Sequence, residues 1–254
     1  MITSNQNAKI KLVRTLQGRA RERREAGAFL VEGVRLVEEA QTANWPFHFV
    51  LYDESLSERG VLLVGKLKSH GVECEMVSTN IMRSLSETET PQGVLAVLDD
   101  FQIPIPDALN FVLIPDQIRD PGNLGTLLRT AAAAGVQAVL LPPETADAFG
   151  SKVVRSGMGA HFRLPIHSMS WDEIKQHTHG LQIYLADMNG KSCWEIDLRQ
   201  PLALIIGGEA DGAGEHAREL ANQKISIPMD GHIESLNAGV AGSVLMFEVV
   251  RQRK

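Results

Sequence analysis

The run LALIIGG (residues 202–208) is nearly all apolar and ends in two glycines. A strand without polar alternation has both faces covered, so this run reads as a central strand of a buried sheet. FVLIPD (111–116) and VQAVLL (136–141) have the same character. LQIYLAD, KISIPM and a short strand in FRLPIHS continue the series. Between them lie helical segments: one in the stretch 120–135 that runs to Ala134 and is capped by Gly135, a short helix in GSKVVRSGMGA, WDEIKQHTH, EHARELAN and a long helix over 236–252. Apolar strands separated by helices indicate an α/β fold with a parallel sheet.

A smaller strand–helix alternation precedes it. Residues 8–26 read as a basic helix broken or weakened at Gly18. A short apolar run and a helix follow over 28–41, then strands at 47–53, 72–78 and 93–100 with helices between. The pattern closes near residue 98. DDFQIPIPD (99–107), with two prolines and no helical period, is the linker. The division is therefore 1–98, 99–107 and 108–254. In 254 residues the hydrophobic fraction is 44% and the charged fraction 22%, ample for packed cores. No apolar run reaches the roughly 18 residues of a membrane span. With Cys74 and Cys193 far apart and no signal-type segment, the expectation is a reduced, cytoplasmic protein.

Net charge is −6, yet residues 5–25 hold seven basic and two acidic side chains. A net charge of this sign argues against unspecific coating of nucleic acid. The local basic patch is either a solvated helix face or a docking site for a polyanion.

Most glycine of the second half lies just after strands, where ligands bind in open α/β sheets. GGEADGAGE (207–215) is neither a dinucleotide fingerprint nor a P-loop. Its Glu209, Asp211 and Glu215 repel phosphate and suit a cationic ligand or an adenosine without phosphates. In ISIPMDGHIESLN, Ser235 is a plausible N-cap for the last helix. Gly239 and Gly242 inside that helix each cost roughly 1 kcal/mol relative to alanine. They imply close approach of a neighbouring helix, a ligand or a subunit. In DPGNLGTLLRTAAAAG (120–135), Asn123 stands at the helix entrance as a cap or a functional contact. Leu124, Leu127, Leu128 and Ala131 share one arc of the wheel, with Arg129 nearly opposite beside Thr126 and Ala133. Such an arginine is either solvated surface or meets a subunit or substrate. His177 and His179 are two apart and make a poor metal pair, so no metal is expected.

NLGTLLRTA (123–131), GGEADG (207–212) and IPMDGHIESLN (227–237), in that order, resemble the three motifs of the SpoU/TrmH family of RNA ribose 2′-O-methyltransferases in the SPOUT superfamily. FLVEGVRLVEEA, TPQGVLAV and KVVRSGMGAHFRLPI are similar to members carrying an N-terminal RNA-binding domain of ribosomal-protein type. NAGVAG and GAG depart from the commoner NVSVA and GLS by small-residue swaps.

The resemblance implies a catalytic domain closed by a C-terminal trefoil knot that forms an S-adenosylmethionine pocket, and a homodimer sharing active sites. It implies cofactor contacts at Gly207, Gly208, Ile227, Met229 and Leu236, and a catalytic set of Arg129, Asn123, Glu209, Ser235 and Asn237. Arg129 is the residue the motif assigns to activating the ribose hydroxyl. A guanidinium has no acceptor and a pKa above roughly 12, so it acts as a perturbed base or as an orienting group. The substrate implied is ribosomal RNA rather than tRNA, with Lys9, Lys11, Arg19, Arg21, Arg23 and Arg24 contributing RNA affinity. A tRNA enzyme, a non-catalytic RNA-binding protein that kept the fold, and a nucleotide-dependent oxidoreductase or ligase are the competing readings. The missing fingerprint and the acidic loop weigh against the last.

Overall fold

The computed structural model describes residues 1–209, 212–231 and 235–254. Asp211 of the acidic loop and the middle of the third motif (232–234) lie outside the described residues. The chain forms two compact units.

The first unit comprises Met1–Phe101 and Phe149–Arg155. Its elements are α1 (Ala8–Gln17), α2 (Ala20–Ala26), β1 (Ala28–Glu32), α3 (Val34–Thr42), β2 (Phe47–Tyr52), α4 (Glu58–Ser69), β3 (Cys74–Met76), α5 (Thr79–Leu85) and β4 (Val94–Asp99). The strand order is β1-β4-β2-β3. β4 pairs antiparallel with β1 and β2, and only β2–β3 is parallel. β3 is three residues long, shorter than the strand expected over 72–78. α1 buries Ile10, Val13 and Leu16, three residues apart, in a core with Leu30, Leu51, Met82, Leu95 and Val97. Phe149 belongs to this unit, its ring edge-on to Phe29 with centroids 5.0 Å apart.

The basic helix expected over 8–26 is broken rather than merely weakened at Gly18. α1 ends at Gly18, and Glu22 restarts the chain by accepting from the Arg19 backbone N–H at 2.9 Å. Arg23 is buried, and its Nη1 donates to the carbonyls of Leu16 (2.7 Å) and Gly18 (2.9 Å). It thus satisfies backbone acceptors left over where α1 stops.

The second unit, Gln102–Ala148 with Ser156–Lys254, contains β5 (Phe111–Asp116), α6 (Pro121–Ala134), β6 (Ala138–Leu141), β7 (Ile166–Ser168), α8 (Trp171–His177), β8 (Gln182–Ser192), β9 (Leu202–Gly207), α9 (Glu215–Leu220), β10 (Gln223–Ser226) and α10 (Ala238–Arg253). A seventh helix in chain order, α7 (Ser151–Gly157), precedes α8. The sheet runs β10-β8-β9-β5-β6-β7, and every pairing is parallel. β5 and β9 lie at its centre, with Leu113 opposite Leu204, and their apolar residues are buried.

α6 buries Leu124, Leu127, Leu128 and Ala131 and leaves Thr126, Arg129 and Ala133 exposed, as the wheel requires. Its N-cap is Asp120, not Asn123: Asp120 Oδ1 accepts from the Asn123 backbone N–H at 2.9 Å. Pro121 occupies the first helical position, where its missing N–H costs nothing. The Asn123 side chain is thereby released. α10 starts at Ala238, and its N-cap is Asn237 rather than Ser235. Asn237 Oδ1 accepts from the Val240 N–H at 3.2 Å, a position Ser235 is two residues too early to serve. What approaches α10 is a helix: a Cβ on Gly239 would lie 3.3 Å from Thr126, and one on Gly242 would collide with Leu127, both on α6.

Candidate active site

The middle of β8 and the carboxyl ends of β9 and β10 border a cavity of about 510 Å³. Gly207 and Gly208 shape its floor because the chain folds back directly over them. A Cβ at Gly207 would stand 2.5 Å from the Ala213 nitrogen, and one at Gly208 would stand 2.6 Å from the Gln117 carbonyl. Both obstacles are backbone, so no larger residue fits without moving a strand end. Ile227, Met229 and Leu236 line the same cavity, as do Glu209, Ser235 and Asn237. Ser235 is exposed and stands in the wall.

The wall is tied together by one carboxylate. Glu209 Oε1 accepts from Asn123 Nδ2 (2.6 Å), Asn237 Nδ2 (2.7 Å) and, more loosely, the Ala238 N–H (3.4 Å). Asn237 Nδ2 also donates to Asn123 Oδ1 at 2.9 Å. The loop after β9, the start of α6 and the start of α10 are therefore joined by a closed polar network. Arg129 does not share it. It is exposed, lines neither this cavity nor the smaller one described below, and has no hydrogen-bond or ion-pair partner among the described residues.

Ala186, Asp187 and Met188 of β8, Arg218 of α9 and Leu245 of α10 also line the cavity and were absent from the expected set. The signal for the first three was available, since LQIYLAD is a strand whose carboxyl end meets the same rule applied to β9. Lys224 at 2.8 Å and the Asn189 N–H hold the Asp187 carboxyl below the usual range. Asp116, at the end of β5, is buried, which pushes its carboxyl up. The Gly214 N–H donating to Oδ2 at 2.7 Å opposes that shift.

Behind Glu209 lies a second cavity of about 140 Å³, lined by Gln117, Ile118, Arg119, Asp120 and Asn123. Gly208, Glu209, Gly212 and Ala238 border both cavities. Gln117 and Glu144 beside it hold φ values of +55° and +68°, uncommon for residues other than glycine. The two turns are cross-linked: the Gln117 N–H donates to Thr145 Oγ1 (3.1 Å), which donates to the Pro115 carbonyl (2.8 Å), and the Ala146 N–H donates to the Ile118 carbonyl (2.9 Å).

The basic set of the first unit is divided. Lys9 pairs with Glu73 at 2.6 Å and with Glu75, Arg21 pairs with Glu25 at 2.6 Å, and Arg23 is internal. Lys11, Arg19 and Arg24 are exposed.

Residues 110–247 match the SpoU rRNA Methylase family, and residues 7–96 match the MRM3-like substrate binding domain. The chain is 36% identical, over 98% of both sequences, to the 23S rRNA (guanosine(2553)-2′-O)-methyltransferase RlmP of Bacillus subtilis. It is 33% identical to the 23S rRNA (uridine(2479)-2′-O)-methyltransferase of Streptomyces viridochromogenes, over 98% of this chain and 92% of that one. The crystal structure of the SpoU methyltransferase AviRb from Streptomyces viridochromogenes, in complex with the cofactor AdoMet, superposes with a TM-score of 0.84. The identity is 30%, covering 97% of this chain and 99% of that one. The chain belongs to the SpoU rRNA methylase family.

Proposed function

We propose that this protein transfers the methyl group of S-adenosylmethionine to a ribose 2′-hydroxyl of ribosomal RNA. The observation that carries the reading is the cavity at the strand ends, closed on one side by the Glu209–Asn123–Asn237 network. Its residues fit the cofactor. Gly207 and Gly208 let the cavity floor pack against neighbouring backbone, and Ile227, Met229 and Leu236 line the cavity with apolar side chains suited to an adenosine. Glu209 and Asp187 present carboxylates suited to a cationic ligand. When bound, S-adenosylmethionine supplies an electrophilic methyl group on a sulfonium.

The chain's own contribution is positioning. Gly207, Gly208, Ile227, Met229 and Leu236 hold the cofactor; Glu209 fixes Asn123 and Asn237, with Ser235 beside them, at the border of the two cavities. Arg129 orients the ribose hydroxyl and assists loss of its proton. Because Arg129 stands outside both cavities of its own chain, we assign that role to the arginine of a second copy. The reading therefore includes a homodimer with shared sites, and a trefoil knot formed by the loops that carry the second and third motifs. No metal takes part. Residues 1–98 bind RNA, chiefly through Lys11, Arg19 and Arg24, residues 99–107 link, and residues 108–254 catalyse. The enzyme works in the cytoplasm, beside its substrate.

The direct test incubates the protein with labelled S-adenosylmethionine and ribosomal RNA from cells lacking it. One 2′-O-methylnucleoside at one position is expected. Cofactor binding by calorimetry without any transfer to RNA would instead favour a non-catalytic RNA-binding protein. Transfer to tRNA alone would move the enzyme to the other substrate class.

A further inference from the structure

The smaller cavity shares its border with the cofactor cavity, which places it beside the position a nucleotide presented to the methyl donor would take. That nucleotide brings phosphates into an acidic neighbourhood. Glu209 and Asp120 line the cavity, and among the described residues lining it Arg119 is the only cation. In the free chain the Arg119 guanidinium is occupied by Glu144, Nη2 to Oε2 at 3.0 Å. This pair is weak in kind. Both side chains are about two-thirds exposed (65% and 63%), and an exposed pair of this sort contributes little to stability. The backbone beneath it is the opposite. Gln117 and Glu144 hold left-handed φ, and Thr145 and Ala146 lock the two turns to each other. A rigid, unfavourable backbone thus holds a loose ion pair at the mouth of the cavity. Such local strain clusters where ligands are clamped.

We infer that Arg119 binds the RNA phosphate adjoining the acceptor ribose, and that Glu144 occupies its guanidinium only until RNA displaces it. The guanidinium's planar fork matches two phosphate oxygens as well as it matches a carboxylate. Glu144 therefore acts as a competitor, holding Arg119 in the bound orientation while lowering affinity for stray anions. The inference rests on the methyl-transfer reading above and adds the residue that seats the substrate.

The test compares Arg119→Gln and Glu144→Gln with the unaltered protein. The substrate is ribosomal RNA from cells lacking the protein, assayed over a range of salt concentrations. For Arg119→Gln the KM for RNA should rise about tenfold, as for loss of one charge-assisted contact. Its kcat should fall far less, and its dissociation constant for S-adenosylmethionine should hold. The slope of log affinity against log salt should flatten by about 0.7, one single-strand phosphate contact. Glu144→Gln should lower the RNA KM, because the competitor is gone. An unchanged slope for Arg119→Gln, or an equal rise of KM in both variants, would overturn the inference, since the second result means that the ion pair serves the fold. If the unaltered protein binds S-adenosylmethionine and methylates RNA while the variants behave so, only the role of Arg119 falls. If the unaltered protein does neither, the methyl-transfer reading falls and takes this one with it.

Discussion

α1 and α2 in the first unit carry seven basic residues in or beside them, whereas α6 in the second carries one arginine among small residues. The crowded region is the less available of the two. Lys9 is claimed by Glu73 and Glu75, Arg14 donates to Asn5, Arg21 pairs with Glu25, and Arg23 is buried against two carbonyls. Arg129 has no partner among the described residues. The lesson is that density of charge along a chain does not measure charge on offer. Long, flexible cations find internal acceptors wherever acidic residues or helix ends lie within reach. A second contrast sharpens the first. Arg23 is met in its buried place by two carbonyl acceptors. His161, buried in the second unit, is held neutral: burial pushes its pKa down to about 4, although Nε2 donates to the Ala148 carbonyl at 2.7 Å.

The largest effect is expected at the isolated arginine. Arg129→Ala should lower kcat by at least about a hundredfold, the lower bound for a positioned group that assists proton transfer. The fold and cofactor affinity should survive, because Arg129 lies off the buried arc. Arg129→Lys keeps charge without the fork. Substantial activity in it would reduce the arginine to an attractor of RNA, and near-normal turnover by the alanine variant would return it to a solvated helix face.

Next comes the buried histidine. Its folded pKa lies below the unfolded value of about 6.5, so the unfolded chain binds more protons between those values. Stability is therefore fully present above pH 6.5 and lost as pH falls toward 4, by an amount on the order of 3 kcal/mol. Urea melts across that range should show the slope, and His161→Gln should flatten it. A slope that survives the substitution assigns the acid sensitivity to another group.

The smaller effects separate neighbours in the basic segment. Arg23→Ala should cost about 1–3 kcal/mol of stability by leaving buried carbonyls unsatisfied, with little change in RNA affinity at temperatures where the variant is folded. Arg24→Glu together with Lys11→Glu and Arg19→Glu should leave the melting temperature nearly unchanged and weaken RNA binding, more so at low salt. The reverse pattern would show that the buried arginine had been misassigned.

Much of this was readable beforehand. The apolar runs at 111–116 and 202–207 announced a parallel sheet, because strands covered on both faces are characteristic of one. The glycine loops after strands marked the cavity, and the wheel of α6 separated Arg129 from the core. The cap positions were harder. Asp120 and Asn123, or Ser235 and Asn237, are all good capping types a few residues apart. Pro121 did hold the answer for α6, since proline at the first helical position makes the residue before it the cap. For α10 the choice depended on which side chain reaches the Val240 N–H, which no local pattern encodes. The internal pairing of Lys9 was beyond reach for a different reason: Glu75 lies 66 residues further along the chain. A run of like charges also has no phase, so nothing marked Arg23 as the one that turns inward. The antiparallel pairs of β4 were equally hidden behind a simple alternation of strand and helix.

The polar network around Glu209 also sets a timetable. Asn237 bonds to Asn123, which was added to the chain 114 residues before it. Until the ribosome has released that late segment, Glu209 lacks the Asn237 and Ala238 donors, and the glycine face of α10 is not there to lie on α6. The α1–α2 junction needs partners only a few residues away and can form early in synthesis. A nascent chain thus carries its basic helices long before it owns the cavity at the strand ends. The wall around Glu209 is complete only when α10 has closed on α6.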